Sequence, residues 1–214
     1  GTDRVERDGW MEKKHSRYLP DSIASFQAMG RYIRERSEPG EVVVFQDMGA
    51  APFAAPDLRW VDTIGILDKN VARELSQTGV NPFARGVKKR TGELVPDPER
   101  PERRLREGAL ELREMDKRLR DYFLAQDPSW IAFVAYTSRT RGKTRRKYLA
   151  AQGDPEAEAA LFEPRIKQNP HSHYLARDGR FQRNFHYVRA WPRNRYGYIL
   201  VLYRANDHVD ARDR

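Results

Sequence analysis

An unbroken apolar run, Val42-Val43-Val44-Phe45, set between Pro39-Gly40 and the polar pair Gln46-Asp47, constrains this chain more tightly than any other feature. The run is short, β-branched and without alternation, which predicts a strand covered on both faces. Such a strand needs packed elements above and below it, and the flanking sequence offers helices. Upstream, Pro20 suits a first helical position, and Ile23, Phe26, Met29 and Ile33 follow at spacings of three and four until Glu38-Pro39-Gly40 stops the pattern. A helix passing through Pro-Gly into a buried strand is an α/β opening.

Downstream, a second strand-like run spans Arg59 to Ile64, and Val71, Ala72 and Leu75 mark a short helix that Gly79 can cap. Residues 80–101 are long, punctuated by Pro and Gly, and predict a loop. Leu105 to Gln126 is helical, with Leu105, Ala109, Leu112, Met115, Leu119 and Tyr122 on one stripe and balanced charge on the others. Asp127-Pro128 ends it. Trp130 to Tyr136 predicts another buried strand, and Asp154-Pro155 opens a short alanine-rich helix to Phe162. Two final strands, Asn184 to Trp191 and Tyr196 to Arg204, predict an antiparallel hairpin turning at Asn194-Arg195. The expected architecture is one mixed α/β domain over residues 18–205, a Rossmann-like sheet flanked by helices and ending in that hairpin. Residues 1–17 are expected as a linker or arm, and 206–214 as a frayed tail.

Charged residues make up 33% of the chain and hydrophobic ones 39%, so the core is lean and the surface ionic. No apolar run approaches the roughly 20 residues of a membrane helix, and no signal peptide is recognisable. The absence of cysteine excludes disulfides, thiolate zinc sites and a cysteine nucleophile. Net charge is +9, unevenly spread. Arg139, Arg141, Lys143, Arg145, Arg146 and Lys147 crowd together without an acid, and Arg165 to Arg204 holds nine basic residues against Asp178 alone. These segments predict a positive face toward an anionic neighbour, the first of them as an exposed loop.

Three carboxylates fall at or near strand ends, where open α/β sheets place their sites: Asp47 after the first strand, Asp62 in the second and Asp68 at a helix start. They could hold a divalent cation or act as acid and base. The structural alternative has Asp68 capping a helix, Asp47 capping a turn, and Asp62 bonded to Arg59 or to a backbone amide. An aspartate inside an apolar strand is costly unless satisfied, so Asp62 has a partner or a task. His171, His173 and His186 sit outside any metal-binding helix motif and read as loop histidines. Neither a GxGxxG nor a P-loop is present, so no nucleotide cofactor is implied. The tail aromatics, Phe181, Phe185, Tyr187, Trp191, Tyr198 and Tyr203 among them, could stack bases or sugars, or form the core face of two strands.

The order of strand, Asp47-x-Gly49-Ala50-x-Pro52-Phe53, then apolar-Asp62-x-x-Gly65-x-x-Asp68 resembles the soluble extracytoplasmic domain of GT-C membrane glycosyltransferases, which take a sugar from a polyprenyl-phosphate carrier. The resemblance covers residues 18–78. A fainter echo lies in 170–204, through Phe181, Tyr187 and the run Gly197 to Arg204. Where the family commonly has Leu after the glycine, this chain has Ile66. The resemblance implies a domain cut from a longer polypeptide with an upstream membrane region, on the extracytoplasmic side. Its catalytic aspartate and carrier-phosphate ligands would lie in that region, so no catalytic residue, metal or cofactor is assigned here. The expected role is to cover the active site and help select the acceptor. Its expected partners are the transmembrane portion and an anionic membrane surface, or a lipid-linked sugar or acceptor, with no specific nucleic acid. A nucleic-acid-binding module and a metal-dependent hydrolase using Asp47, Asp62 and Asp68 are the alternatives.

Overall fold

Five strands join in one open sheet of order β2-β1-β3-β5-β4 in a computed structural model that describes residues 23–77, 101–136, 141–169, 173–192 and 198–208. Strands β1 (Val42–Phe45), β2 (Arg59–Asp62) and β3 (Trp130–Tyr136) run parallel, β1 in the middle. Strands β4 (Phe185–Pro192) and β5 (Tyr198–Ala205) pair antiparallel, and β5 inserts beside β3. The mixed sheet and its terminal antiparallel pair are those expected from sequence; the turn at Asn194-Arg195 lies outside the described residues, as do residues 1–17, Gly79 and most of 80–101.

The lack of alternation in β1 and β3 has the predicted cause. Val42, Val44, Ile131, Phe133 and Ala135 face one core, and Val43, Phe45, Trp130, Ala132 and Val134 face the other. The second core is roofed by helix α1 (residues 23–34) through Phe26, Met29 and Ile33, and by helix α2 (Ala50–Ala54) through Ala51. Gly30 permits that roof, because a Cβ there would sit 2.4 Å from the Ala51 carbonyl oxygen. The first core lies under helices α3 (Lys69–Gln77), α4 (Pro101–Leu124), α5 (Arg141–Ala151), α6 (Pro155–Ile166), α7 (His173–Ala176) and α8 (Gly179–Asn184).

Several boundaries differ from the sequence reading. Helix α4 starts at Pro101, a residue that fits a first turn, whereas the apolar stripe alone suggests Leu105. Helix α6 continues past Phe162 because Ile166 is also buried against the first core, and Asp154 caps its start with bonds from Glu156 N and Ala157 N. The segment expected as loop-like around His173 instead opens α7 at His173, and α8 follows, capped by Asp178. Arg141 to Lys147, expected in an exposed loop, opens helix α5. Tyr148, buried against Phe162 at 5.6 Å, anchors its far half.

Candidate functional site

The C-terminal ends of β1 and β2 and the loop after β2 hold the three carboxylates singled out in the sequence, and each accepts from at least one backbone amide. Asp62 is 2% exposed at the end of β2. One of its carboxylate oxygens accepts from Ile64 N at 2.8 Å, the other from Ile66 N at 2.6 Å and Leu67 N at 2.9 Å. Three amide donors repay the burial of the charge. They also fold residues 63–68 into a tight loop, in which Gly65 takes φ 80° and packs so close to α3 that a Cβ would stand 2.7 Å from Ala72 N. Only glycine meets both demands.

Asp68 closes the loop. Its Oδ1 accepts from Asn70 N at 2.9 Å and Val71 N at 3.3 Å at the start of α3, and its Oδ2 accepts from Tyr122 Oη of α4 at 2.7 Å. Burial and the neighbouring Asp68 carboxylate raise the Tyr122 phenol above its usual range, while Asn70 opposes them, so Tyr122 remains the donor. Asp47 accepts from Gly49 N at 3.0 Å and shapes the turn into α2. Of the roles weighed in the sequence, the structural ones are observed for all three, with the amide rather than Arg59 as the partner of Asp62. Arg59 instead bonds Gln126. Among the described residues no group of three or more His, Asp or Glu side chains is placed to hold a metal ion.

What the loop presents outward is apolar. Ile66 and Leu67 are each 73% exposed, while the polar atoms beneath them are fixed. Behind the loop, Asn169 is fully buried and donates to Gln46 Oε1 at 2.8 Å and Val134 O at 2.7 Å, tying α6 to the ends of β1 and β3. His173 bridges Asp116 at 2.9 Å and the Asn169 carbonyl at 3.2 Å. Tyr174 is buried beside them, with its phenol pushed up by burial and by the Asp116 and Asp62 carboxylates. Sequence inspection missed this Gln46–Asn169–His173–Asp116 connection, because Gln46, Asp116 and the Asn169–His173 pair are far apart in the chain and none belongs to a motif.

The other sequence candidates disperse. His186 bonds Asn206 at 2.8 Å, apart from His173, and His171 lies outside the described residues. Phe181 and Tyr203 are buried in the first core, with Phe185 and Tyr187 packed against it, and Trp191 packs against the second. Tyr187 donates to the buried Glu158. Those aromatics are core, as one of the two sequence readings has it. Of the basic cluster, Arg146 and Lys147 are exposed on α5; Arg139 lies outside the described residues, and the side chains of Arg141, Lys143 and Arg145 are likewise not described. At the opposite edge of the sheet a cleft of about 490 Å³ opens between α4, α8 and the ends of β4 and β5. Its Arg180 is held by Asp121 and Asp178, which Arg120 also joins.

The model of one family matches residues 17–209, nearly the whole chain described above. This chain belongs to the family described as a domain of unknown function, DUF8728. Its matched span includes every strand and helix of the sheet, and so the Asp62–Asp68 loop. No curated protein and no solved structure matches it.

Proposed function

We propose that this DUF8728 domain is the non-catalytic, extracytoplasmic part of a GT-C type membrane glycosyltransferase that uses a polyprenyl-phosphate sugar. It covers the active site of the membrane-embedded body and helps select the acceptor at the membrane surface. The observation that carries this reading is the use made of the Asp62-x-x-Gly65-x-x-Asp68 motif. Its carboxylates organise a fixed loop through amide and phenol donors, and the loop displays Ile66 and Leu67 instead of a charge. A loop so ordered suits recognition and shielding, where preorganisation lowers the cost of contact. It does not suit hydrolysis, for which a carboxylate must be free to bind a cation or move a proton. The excess of basic residues in the C-terminal half of the sequence supports a neighbour rich in phosphate.

Against the nucleic-acid alternative, Phe181 and Tyr203 are buried in the first core, and Phe185 and Tyr187 pack against it. The reading is tested by the natural reading frame upstream of Thr2. It should encode several hydrophobic spans, and a gene beginning near Asp3 with none would remove it.

A further inference from the structure

Tyr187 and Tyr203 stand opposite one another across β4 and β5, 5.9 Å between ring centres, and their hydroxyls fare differently. Tyr187 donates to the buried Glu158. Tyr203 is only 7% exposed, yet among the described residues its Oη has no hydrogen-bond partner. Unlike Tyr174 Oη and Thr63 Oγ1, it is not sealed in by the fold. The Tyr203 side chain lines a cavity of about 290 Å³ that opens between α6 and α8 over β4 and β5. A hydroxyl largely withheld from bulk water and left without a partner is costly, and in a native fold it calls for an explanation.

The chemistry of the cavity narrows what that partner is. Ala159, Ile166, Ala176, Phe181 and Phe185 line it with carbon, the two phenylalanine rings stacked at 5.5 Å. Its other polar side chains, Glu163 and Gln182, are exposed, and each has a partner already: Lys167 donates to Glu163, and Gln182 donates to Ala176 O. Burial and the Glu163 charge raise the Tyr203 phenol above its usual range, so it stays protonated and can donate. The space is far larger than one water requires and has the size for a single ring. A sugar would bring several hydroxyls against carbon walls with one inner phenol to share among them. An apolar ring with one hydroxyl leaves nothing unpaired.

We propose that this cavity binds a small apolar ring, aromatic or alicyclic, that carries a single hydroxyl. The ligand hydroxyl pairs with Tyr203 Oη, and the ring rests among Ile166, Phe181 and Phe185. The site lies apart from the Asp62–Asp68 loop and does not depend on the membrane reading above, so either fails without the other.

p-Cresol and toluene share a ring and differ by the hydroxyl, and titration of each followed by saturation-transfer NMR tests the proposal. p-Cresol should bind saturably, and toluene roughly three- to tenfold more weakly. Tyr203→Phe should melt at the wild-type temperature, because the lost hydroxyl has no partner in the protein, and should bind p-cresol only as well as toluene. Ala159→Met, which fills the cavity from α6, should weaken both probes by about tenfold or more without lowering the melting temperature. Four results would overturn the proposal. They are equal or absent binding of the two probes, p-cresol binding that survives Tyr203→Phe and Ala159→Met, tighter binding of methyl glucoside than of p-cresol, and a Tyr203→Phe protein that melts several degrees lower. A wild-type dimer that Ala159→Met dissociates would place a second copy in the cavity and also overturn it.

Discussion

Replacing Asp62 by asparagine keeps the shape of the side chain and removes only its charge and one acceptor, so no cavity is created. At best the remaining carbonyl oxygen keeps the two amides at Ile66 and Leu67 now bonded to Oδ2, and the new NH2 then faces Ile64 N–H, donor against donor. A hydrogen bond to a buried charged group contributes about 1.5–3 kcal/mol, and a donor left unsatisfied adds to the loss. With Asp62 2% exposed, solvent cannot rescue the amide, and the expected destabilisation is about 2–4 kcal/mol. For a chain of this size that corresponds to a fall in Tm of roughly 5–15 °C. Urea unfolding followed by tryptophan fluorescence reads the free energy, and added magnesium or manganese should leave the melting temperature of wild type and variant unmoved. Saturation of a specific native site at a hundredfold excess over Kd would instead add about 2.7 kcal/mol. A variant within about 0.5 kcal/mol of wild type, or a metal-dependent rise in Tm that Asp62→Asn abolishes, would refute the reasoning.

Gly65→Ala should cost at least about 2 kcal/mol, because φ is 80° and the new methyl meets backbone at 2.7 Å; thermal melting checks it. Asn169→Leu leaves Gln46 Oε1 and the Val134 carbonyl without their shared donor, and an unfolding loss of about 2–4 kcal/mol is expected in urea. Acid sensitivity should report the Asp178–Arg180 pair. Burial pushes the Asp178 carboxyl up, but the Arg180 side chain and amide together with the Arg120 charge outweigh it and hold it below its ordinary 3.8. A depressed folded pKa gives stability that is present above the unfolded value and is lost as pH falls through the folded one. Arg180→Gln should therefore flatten the decline of stability below about pH 4, as acid titration of the unfolding midpoint would read.

The central strands are legible because their described side chains are buried on both faces. Trp130 to Tyr136 is read from the sequence with the bounds it has in the fold, since each residue from Trp130 to Ala135 meets one of two cores and apolar continuity is then the main signal. Helix α2 was not legible, being five residues with Pro52 inside, and it exists because Ala51 can approach Gly30. The short helices α7 and α8 were hidden for a like reason: Tyr174, Leu175 and Phe181 are buried by tertiary contact, with too few turns to show a period. The site divides in the same way. Asp62, Gly65 and Asp68 stood out by spacing, whereas their task depends on amide directions that no spacing encodes. The partnership of Gln46 with Asn169 spans 123 residues and left no local trace.

The claim that this domain belongs to a membrane glycosyltransferase is tested most directly by locating the product of the natural gene. A tag placed after Arg214 should stay with membranes through an alkaline carbonate wash. Protease added from the extracytoplasmic side should then remove it while the cytoplasm stays sealed. Recovery of the tag in the soluble fraction, or its protection until the cytoplasmic membrane is opened, would remove the domain from such an enzyme.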